Sequence, residues 1–521
     1  MLNYKYQNFY EAMEYNAREY PKQTVLFLED GKVNYRELKH NIDVLASFLE
    51  LQEIKKGDSV AMIIANSQEF IVALYAITKI GAVAVPINTF LKHEEFEYIL
   101  NDCDASLLIS SASFAQETKN LLDTTKIKSI IWCEEYTALD AQNHSFSQVL
   151  ADALIYDQLA PKPKLDDLAC VVYTSGTTGN PKGAMLSFKN LFSNAVSAQE
   201  AFRISPQDRF IVFLPMFHSF TLSVMVLLPI YAGASIVIVK SVFPFSNVLK
   251  QALLKRVTIF LGVPTLYNAL IKAKIPWYFM LFNKIRVFIS GSAPLSEQVL
   301  HDFNKKFKKA TLTEGYGLSE CSPAVAVNRL DWQKPLSVGL PLPSYEVKIV
   351  NEEMMELSIG QVGEIIVKGD CVMQGYLNRP DATDETIING WLLTGDLGKL
   401  DSDGFLYIVD RKKDLIISKG INIYPREIEE VIYKYEGVDS VAVVGLKDTQ
   451  TNDEEVMAFV QAKEDITLDE IAMKKFLKTH LANFKIPKHL YFVEELPKNA
   501  TGKVLKRVLK EKLQEGFFQK A

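Results

Sequence analysis

Cysteine is scarce, with five in 521 residues (Cys103, Cys133, Cys170, Cys321, Cys371), and no pair has Cys-x-x-Cys or Cys/His metal spacing. That scarcity excludes a disulfide framework and a zinc knuckle, and it predicts reduced thiols in a cytoplasmic protein. Cys321 adjoins a notable glutamate but is assigned no role. Excess positive charge is missing too: 57 Lys and Arg against 63 Asp and Glu leave a net charge of −6, which offers no electrostatic footprint for nucleic acid. The opening MLNYKYQNFYEAMEYN lacks the apolar core of a signal peptide. Low-complexity linkers are absent. One long run lacks charge, the 30 residues Phe210 to Val239, uncharged unless His218 is protonated. Pro215, Pro229 and Gly233 interrupt it, so it predicts strand, loop, helix and strand inside a core rather than a membrane span. A peripheral membrane association stays open.

What is present suits large cores. Hydrophobic residues make up 48% of the chain and charged ones 23%, and the length allows at least two domains. Through about residue 400, short β-branched runs alternate with helical stretches, the pattern of doubly wound α/β sheets. Val60–Ala65 predicts a strand, Glu69–Ile80 a helix ending at Gly81, and AVAVPI a second strand. Helix, Gly233 and the strand SIVIV repeat that order later, suggesting two related α/β layers. From 336 to 400 the texture turns to short strands with glycine turns, a β-rich subdomain. After the charged hinge RKKD comes a compact α/β unit. The division expected is residues 1–410 and 411–521.

Residues Tyr173 to Gly183, YTSGTTGNPKG, constrain chemistry most. Three glycines let the backbone approach a ligand closely. Thr174, Ser175, Thr177, Thr178 and Lys182 supply donors at short intervals. An apolar run (LACVVYT) precedes the segment and a helical one (Ser187 to Phe202) follows it, so it predicts a phosphate-binding loop between strand and helix. It is not a Walker A loop, because Pro181 and Gly183 flank the lysine where that motif needs Gly-Lys-Ser/Thr.

Further motifs follow in order: GSAPL (Gly291–Leu295), GYGLSE (Gly315–Glu320), TGD (Thr394–Asp396), DRKKDLIISKGINIYP (Asp410–Pro425) and PKNATGK (Pro497–Lys503). Together with the loop, these segments resemble the adenylate-forming superfamily of acyl-CoA synthetases, adenylation domains and luciferases, most closely its long-chain fatty acid–CoA ligases. The resemblance implies a large N-terminal domain, a small mobile C-terminal one, and use of ATP, Mg²⁺ and coenzyme A.

By the same resemblance, Thr174, Ser175, Gly176, Thr177, Thr178, Gly179 and Lys182 cradle phosphates. Thr177 and Glu320 hold Mg²⁺, which typically takes few protein ligands. Gly291, Ser292 and Ala293 approach the base, on which Tyr316, between Gly315 and Gly317 and near Ser319, stacks. Asp396 and Arg411 contact the ribose. Lys503 bridges the incoming carboxylate and the α-phosphate, and Lys413 is the hinge. Ser418, Lys419 and Gly420 belong to a loop that replaces Lys503 when the thiol attacks. His218, in LPMFHSFTLS, resembles a gate beside an acyl pocket, although a lone His in an apolar run is commonly a core residue.

Between Arg209 and Glu297 there is no Asp or Glu. An ammonium-bearing substrate would lack a counter-ion there, which disfavours amino acids, whereas the Phe, Leu, Val and Met of this region suit an acyl tunnel. Only 18 residues follow Lys503, so a free acceptor such as coenzyme A is expected rather than a fused carrier domain. Six basic residues against one acid between Lys498 and Lys512 form either a solvated helix face or a site for coenzyme A phosphates. The rival readings are an aryl-CoA ligase, an acyl-AMP ligase loading a separate carrier protein, and a non-catalytic nucleotide-binding relative.

Overall fold

The computed structural model describes residues 2, 4–136, 140, 142–152, 154–155, 161–174, 181–418, 421–447, 454–463, 466–498 and 504–518. Two large sheets dominate. The first has eight strands; at its centre Ser59–Ile63, Val83–Pro86 and Leu107–Ser110 run parallel, with Leu168–Thr174 and Lys182–Ser187 beside them. The second has nine, centred on the parallel strands Arg209–Val212, Ser235–Ile238, Ile259–Gly262 and Val287–Ser290.

Strands buried on both faces read as continuous apolar runs rather than alternating ones, and the side chains of each strand divide between two cores. Phe210 and Val212 enter a core shared by both sheets, while Ile211 and Phe213 enter a separate one on the outer face. In the first sheet Val60 and Met62 face the shared core, and Ala61 and Ile63 face outward into a third. Helices such as Gln68–Lys79 and Phe188–Phe202 fill the shared layer. The repeat of helix, glycine and strand is present in both halves: Gly81 (φ +77°) and Gly233 (φ +74°) each occupy the left-handed region that turns a helix end into the next strand.

The charge-free run resolves into the strand Arg209–Val212, a buried helix over 219–231 with a π-turn at Leu222–Leu227, and the strand Ser235–Ile238. Among the described residues no helix is long and apolar enough to cross a membrane. A five-stranded antiparallel sheet follows, from Tyr345–Val350 through Gly363–Gly369 and Trp391–Leu400, and it takes in Leu406–Arg411 as well. A one-turn helix, Lys412–Asp414, leads into the last unit. There the strands Val438–Lys447, Glu454–Ala462 and His489–Val493 form a sheet with an apolar core on each face. All five cysteines are free thiols.

Candidate active site

The strand Leu168–Thr174 does not lead into a helix. It pairs antiparallel with Lys182–Ser187, Thr174 opposite Lys182 and Tyr173 opposite Gly183. The helix begins only at Phe188, with Ser187 accepting from the Asn190 amide at its N-terminus. This corrects the strand–loop–helix expectation. KGAMLS has no β-branched residue, and it becomes a strand because it has partners on both sides, Leu168–Thr174 and the short strand Gly375–Tyr376. Ser175, Gly176, Thr177, Thr178 and Gly179 lie outside the described residues, as do Lys419, Gly420 and Lys503.

The second pairing carries a residue that the motifs did not single out. Tyr376 sits opposite Ala184, and the Leu377 amide donates to the Gly183 carbonyl at 2.8 Å. This puts the Tyr376 ring 5.2 Å from Lys182 Nζ and lets its hydroxyl donate to Glu320 Oε1 at 2.7 Å. Burial, then the charge of Glu320, pushes the phenol well above its ordinary value, so it remains a donor. The Met373 amide donates to the Glu320 carbonyl at 2.9 Å, which fixes the backbone beneath the carboxylate. The sequence signal was a Gly-Tyr pair five residues after Cys371's neighbour Asp370, too common alone to be read.

A second polar cluster lies across the cavity. In the antiparallel sheet Asp396 is directly opposite Arg411, and Arg411 Nε reaches Asp396 Oδ1 at 3.2 Å. Tyr316 Oη donates to Asp396 Oδ2 at 2.7 Å. The three residues expected around a nucleoside are therefore joined through Asp396, by one hydrogen bond and one ion pair. Next to Tyr316, Gly317 is obligatory: a Cβ there would lie 2.0 Å from the Pro323 carbonyl oxygen. Ser292 has φ +66°, a strained value for a residue with a side chain, at the turn that follows the strand Val287–Ser290. Glu314 is buried just ahead of Gly315 and accepts from the Leu295 amide at 3.0 Å; burial pushes its carboxyl up to about 7.

One cavity of about 480 Å³ gathers these groups. Thr174, Lys182, His218, Gly291, Ser292, Gly315, Tyr316, Gly317, Ser319, Glu320, Arg411 and Lys413 all line it, as Tyr376 and Thr394 do. Ala293 and Ser418 are not on its wall, and Asp396 stands behind Tyr316 and Arg411. His218 Nδ1 accepts from the Phe220 amide at 3.3 Å, so the ring both starts a helix and faces the cavity. Desolvation where it lines the cavity, then the nearby Arg411, lowers the Lys413 ammonium pKa. Leu505, two residues beyond Lys503, lines the cavity too. The wall also carries apolar side chains, among them Ala198, Phe202, Val224, Ile289 and Val327. Among the described residues no group of three or more His, Cys, Asp or Glu could hold a metal, and Glu320 is the one carboxylate among the described residues lining the cavity.

The AMP-binding enzyme family model matches residues 13–377, and the AMP-binding enzyme C-terminal domain model matches residues 427–503. A long-chain-fatty-acid–CoA ligase of Salmonella typhimurium is 34% identical, over 99% of this chain and 96% of its own. The anthranilate CoA ligase AuaEII, solved with anthranoyl-AMP, superimposes with a TM-score of 0.91 at 26% identity, covering 99% of both chains. ATP-bound MatB from Rhodopseudomonas palustris gives 0.88 at 31% identity, covering 97% of this chain and 99% of its own. Apo MatB gives 0.79, covering 98% and 99%.

Proposed function

The chain belongs to the AMP-binding enzyme family, and from that premise we propose that it is an ATP-dependent fatty acid–CoA ligase. Its first half-reaction joins a carboxylate oxygen to the α-phosphorus of ATP and expels pyrophosphate. In its second, a coenzyme A thiolate attacks the acyl carbon, forming the thioester and releasing AMP. The observation that carries this reading is a single cavity whose wall combines charged and hydrogen-bonding groups, Lys182, Glu320, Tyr316 and Arg411, with apolar ones, Ala198, Phe202, Val224 and Ile289.

Tyr316 offers its ring to the adenine, while Asp396 accepts from the ribose hydroxyls with Arg411 beside it. Lys182 and the loop it anchors receive the β- and γ-phosphates. Glu320 and Thr177 are the groups that would hold Mg²⁺; a hard carboxylate held by the hydroxyl of the tyrosine whose ring lies beside Lys182 suits that ion, which takes few protein ligands. When bound, it supplies neutralisation of phosphate charge. Lys503 brings an ammonium between the two anions as charge redistributes, a contribution made strongest by a site that excludes water. Leu505 on the cavity wall supports this approach, and so does the closer likeness to ATP-bound than to apo MatB.

Adenylation needs that ammonium in the site, and thioester formation needs room for a thiol. The unit after residue 410 therefore pivots at Lys413 and presents Ser418, Lys419 and Gly420 in the second state. The five free thiols suit a reducing, cytoplasmic setting. A panel of saturated fatty acids of graded length, aryl acids and amino acids, incubated with ATP and coenzyme A, tests the assignment by AMP release and thioester mass. Fatty acyl-CoA is expected. Turnover confined to aryl acids, or AMP formation without a thioester, would replace it with an aryl-CoA ligase or a carrier-loading enzyme.

A further inference from the structure

The helix His93–Asp102 ends against segments that border the cavity, and its last residue ties two of them together. Tyr173 Oη donates to Asp102 Oδ2 at 2.7 Å, and Arg379 Nη2 donates to Asp102 Oδ1 at 3.0 Å. The same guanidinium nitrogen donates to Tyr98 Oη at 2.8 Å, one turn back on the helix, and that hydroxyl donates to the Pro181 carbonyl at 3.4 Å. Asn378 Nδ2 adds a bond to the Asp102 carbonyl at 2.7 Å. The carboxylate side chain is only 9% exposed, so it depends on these donors in place of water. Burial pushes the Tyr173 phenol above its ordinary value, and the hydroxyl stays a donor.

Each residue held in this way is a near neighbour of one that lines the cavity. Tyr173 precedes Thr174, Pro181 precedes Lys182, and Arg379 follows Tyr376 on one turn, its amide donating to the Tyr376 carbonyl at 3.2 Å. Tyr173 lines the cavity as well, and its ring packs on Gly183, where a Cβ would lie 3.1 Å from it. An acid beside the strands that present Thr174 and Lys182 repels a nucleotide unless a cation neutralises it, and Arg379 is that cation.

We propose that Asp102, neutralised by Arg379, is a positioning residue for the triphosphate. Through Tyr173 and, by way of Arg379, Tyr98, it sets the strand ends from which Thr174 and Lys182 project. Through Arg379 it sets those ends against Tyr376, whose hydroxyl holds Glu320. The inference rests on the nucleotide part of the ligase reading and concerns ATP, not the acid or the thiol.

Calorimetric titration of the full chain with MgATP, with no acid present, tests it beside steady-state kinetics. Tyr173→Phe keeps the ring on Gly183 and removes the hydroxyl. MgATP should then bind about tenfold more weakly and its KM rise in step, while kcat and the KM for the acid stay within about twofold. Arg379→Met should weaken MgATP binding by about tenfold or more, because the carboxylate is left without its cation, and adding Asp102→Asn should restore most of the loss. A merely structural role for Asp102 gives the opposite result, a double variant weaker than Arg379→Met alone. That outcome overturns the proposal, as does MgATP affinity in Tyr173→Phe within about twofold of wild type. So does a fall in kcat, or in affinity for the acid, as large as the fall for MgATP. If Arg379→Met does not fold, Tyr173→Phe decides the matter alone. A wild-type chain that binds MgATP yet activates no acid would end the ligase reading and leave this one standing.

Discussion

Tyr376→Phe removes one oxygen and leaves the ring, which makes it a sharp probe of the site. The lost hydroxyl donates to Glu320 at 2.7 Å, and a hydrogen bond to a charged group contributes about 1.5–3 kcal/mol. Lys182 keeps its place over the aromatic face, 5.2 Å from the ring centre. If Glu320 acts on the ATP phosphates, releasing its carboxylate should lower kcat/KM for MgATP by about ten- to a hundredfold, since each 1.4 kcal/mol is about a factor of ten. Stability should change by less than about 1 kcal/mol, because Glu320 borders the cavity and water can replace the lost donor. Pyrophosphate release at saturating acid and varied MgATP gives the ratio, and thermal unfolding gives the control. Activity within about twofold of wild type, alongside a severe defect in Glu320→Gln, would refute the claim that Tyr376 positions the carboxylate.

Lys503→Ala should slow acyl-AMP formation by about 10²–10³-fold while leaving the fold intact; near-normal pyrophosphate release would remove the residue from the mechanism. Lys413→Pro should impair one half-reaction far more than the other, measured as pyrophosphate release against thioester formation from supplied acyl-AMP, and equal losses would count against a pivot there. Glu314 holds a proton between its ordinary value of 4.5 and about 7 that the unfolded chain gives up, so its contribution to stability falls as pH rises through that window, by about 3 kcal/mol in all. Glu314→Gln should therefore raise the melting temperature more at pH 8 than at pH 5, and an equal shift at both would mean that the carboxyl is not held protonated.

Much of the fold was legible because burial on both faces of the parallel strands writes itself as unbroken apolar runs, as in Val60–Ala65 and Phe210–Phe213. Gly81 and Gly233 marked the same helix exit twice. The strand Lys182–Ser187 was not legible: its residues have no strand preference of their own, and long-range pairing makes the decision. The motifs named Asp396, Arg411 and Tyr316 as neighbours of one ligand. They did not say that the three touch each other, since that contact depends on a register 15 residues apart and on a second sheet. Tyr376 went unread for a similar reason: its partners Lys182 and Glu320 are 194 and 56 positions away, and its significance is entirely in that geometry.

Leu505 and Lys413 share a wall with His218 and Tyr316, and this bears on timing. On the proposed pivot at Lys413, the two units that share this wall part to let product leave; an intermediate formed between them would be shielded from stray hydrolysis until then, and the rate of parting would set a ceiling on how often the cycle can repeat.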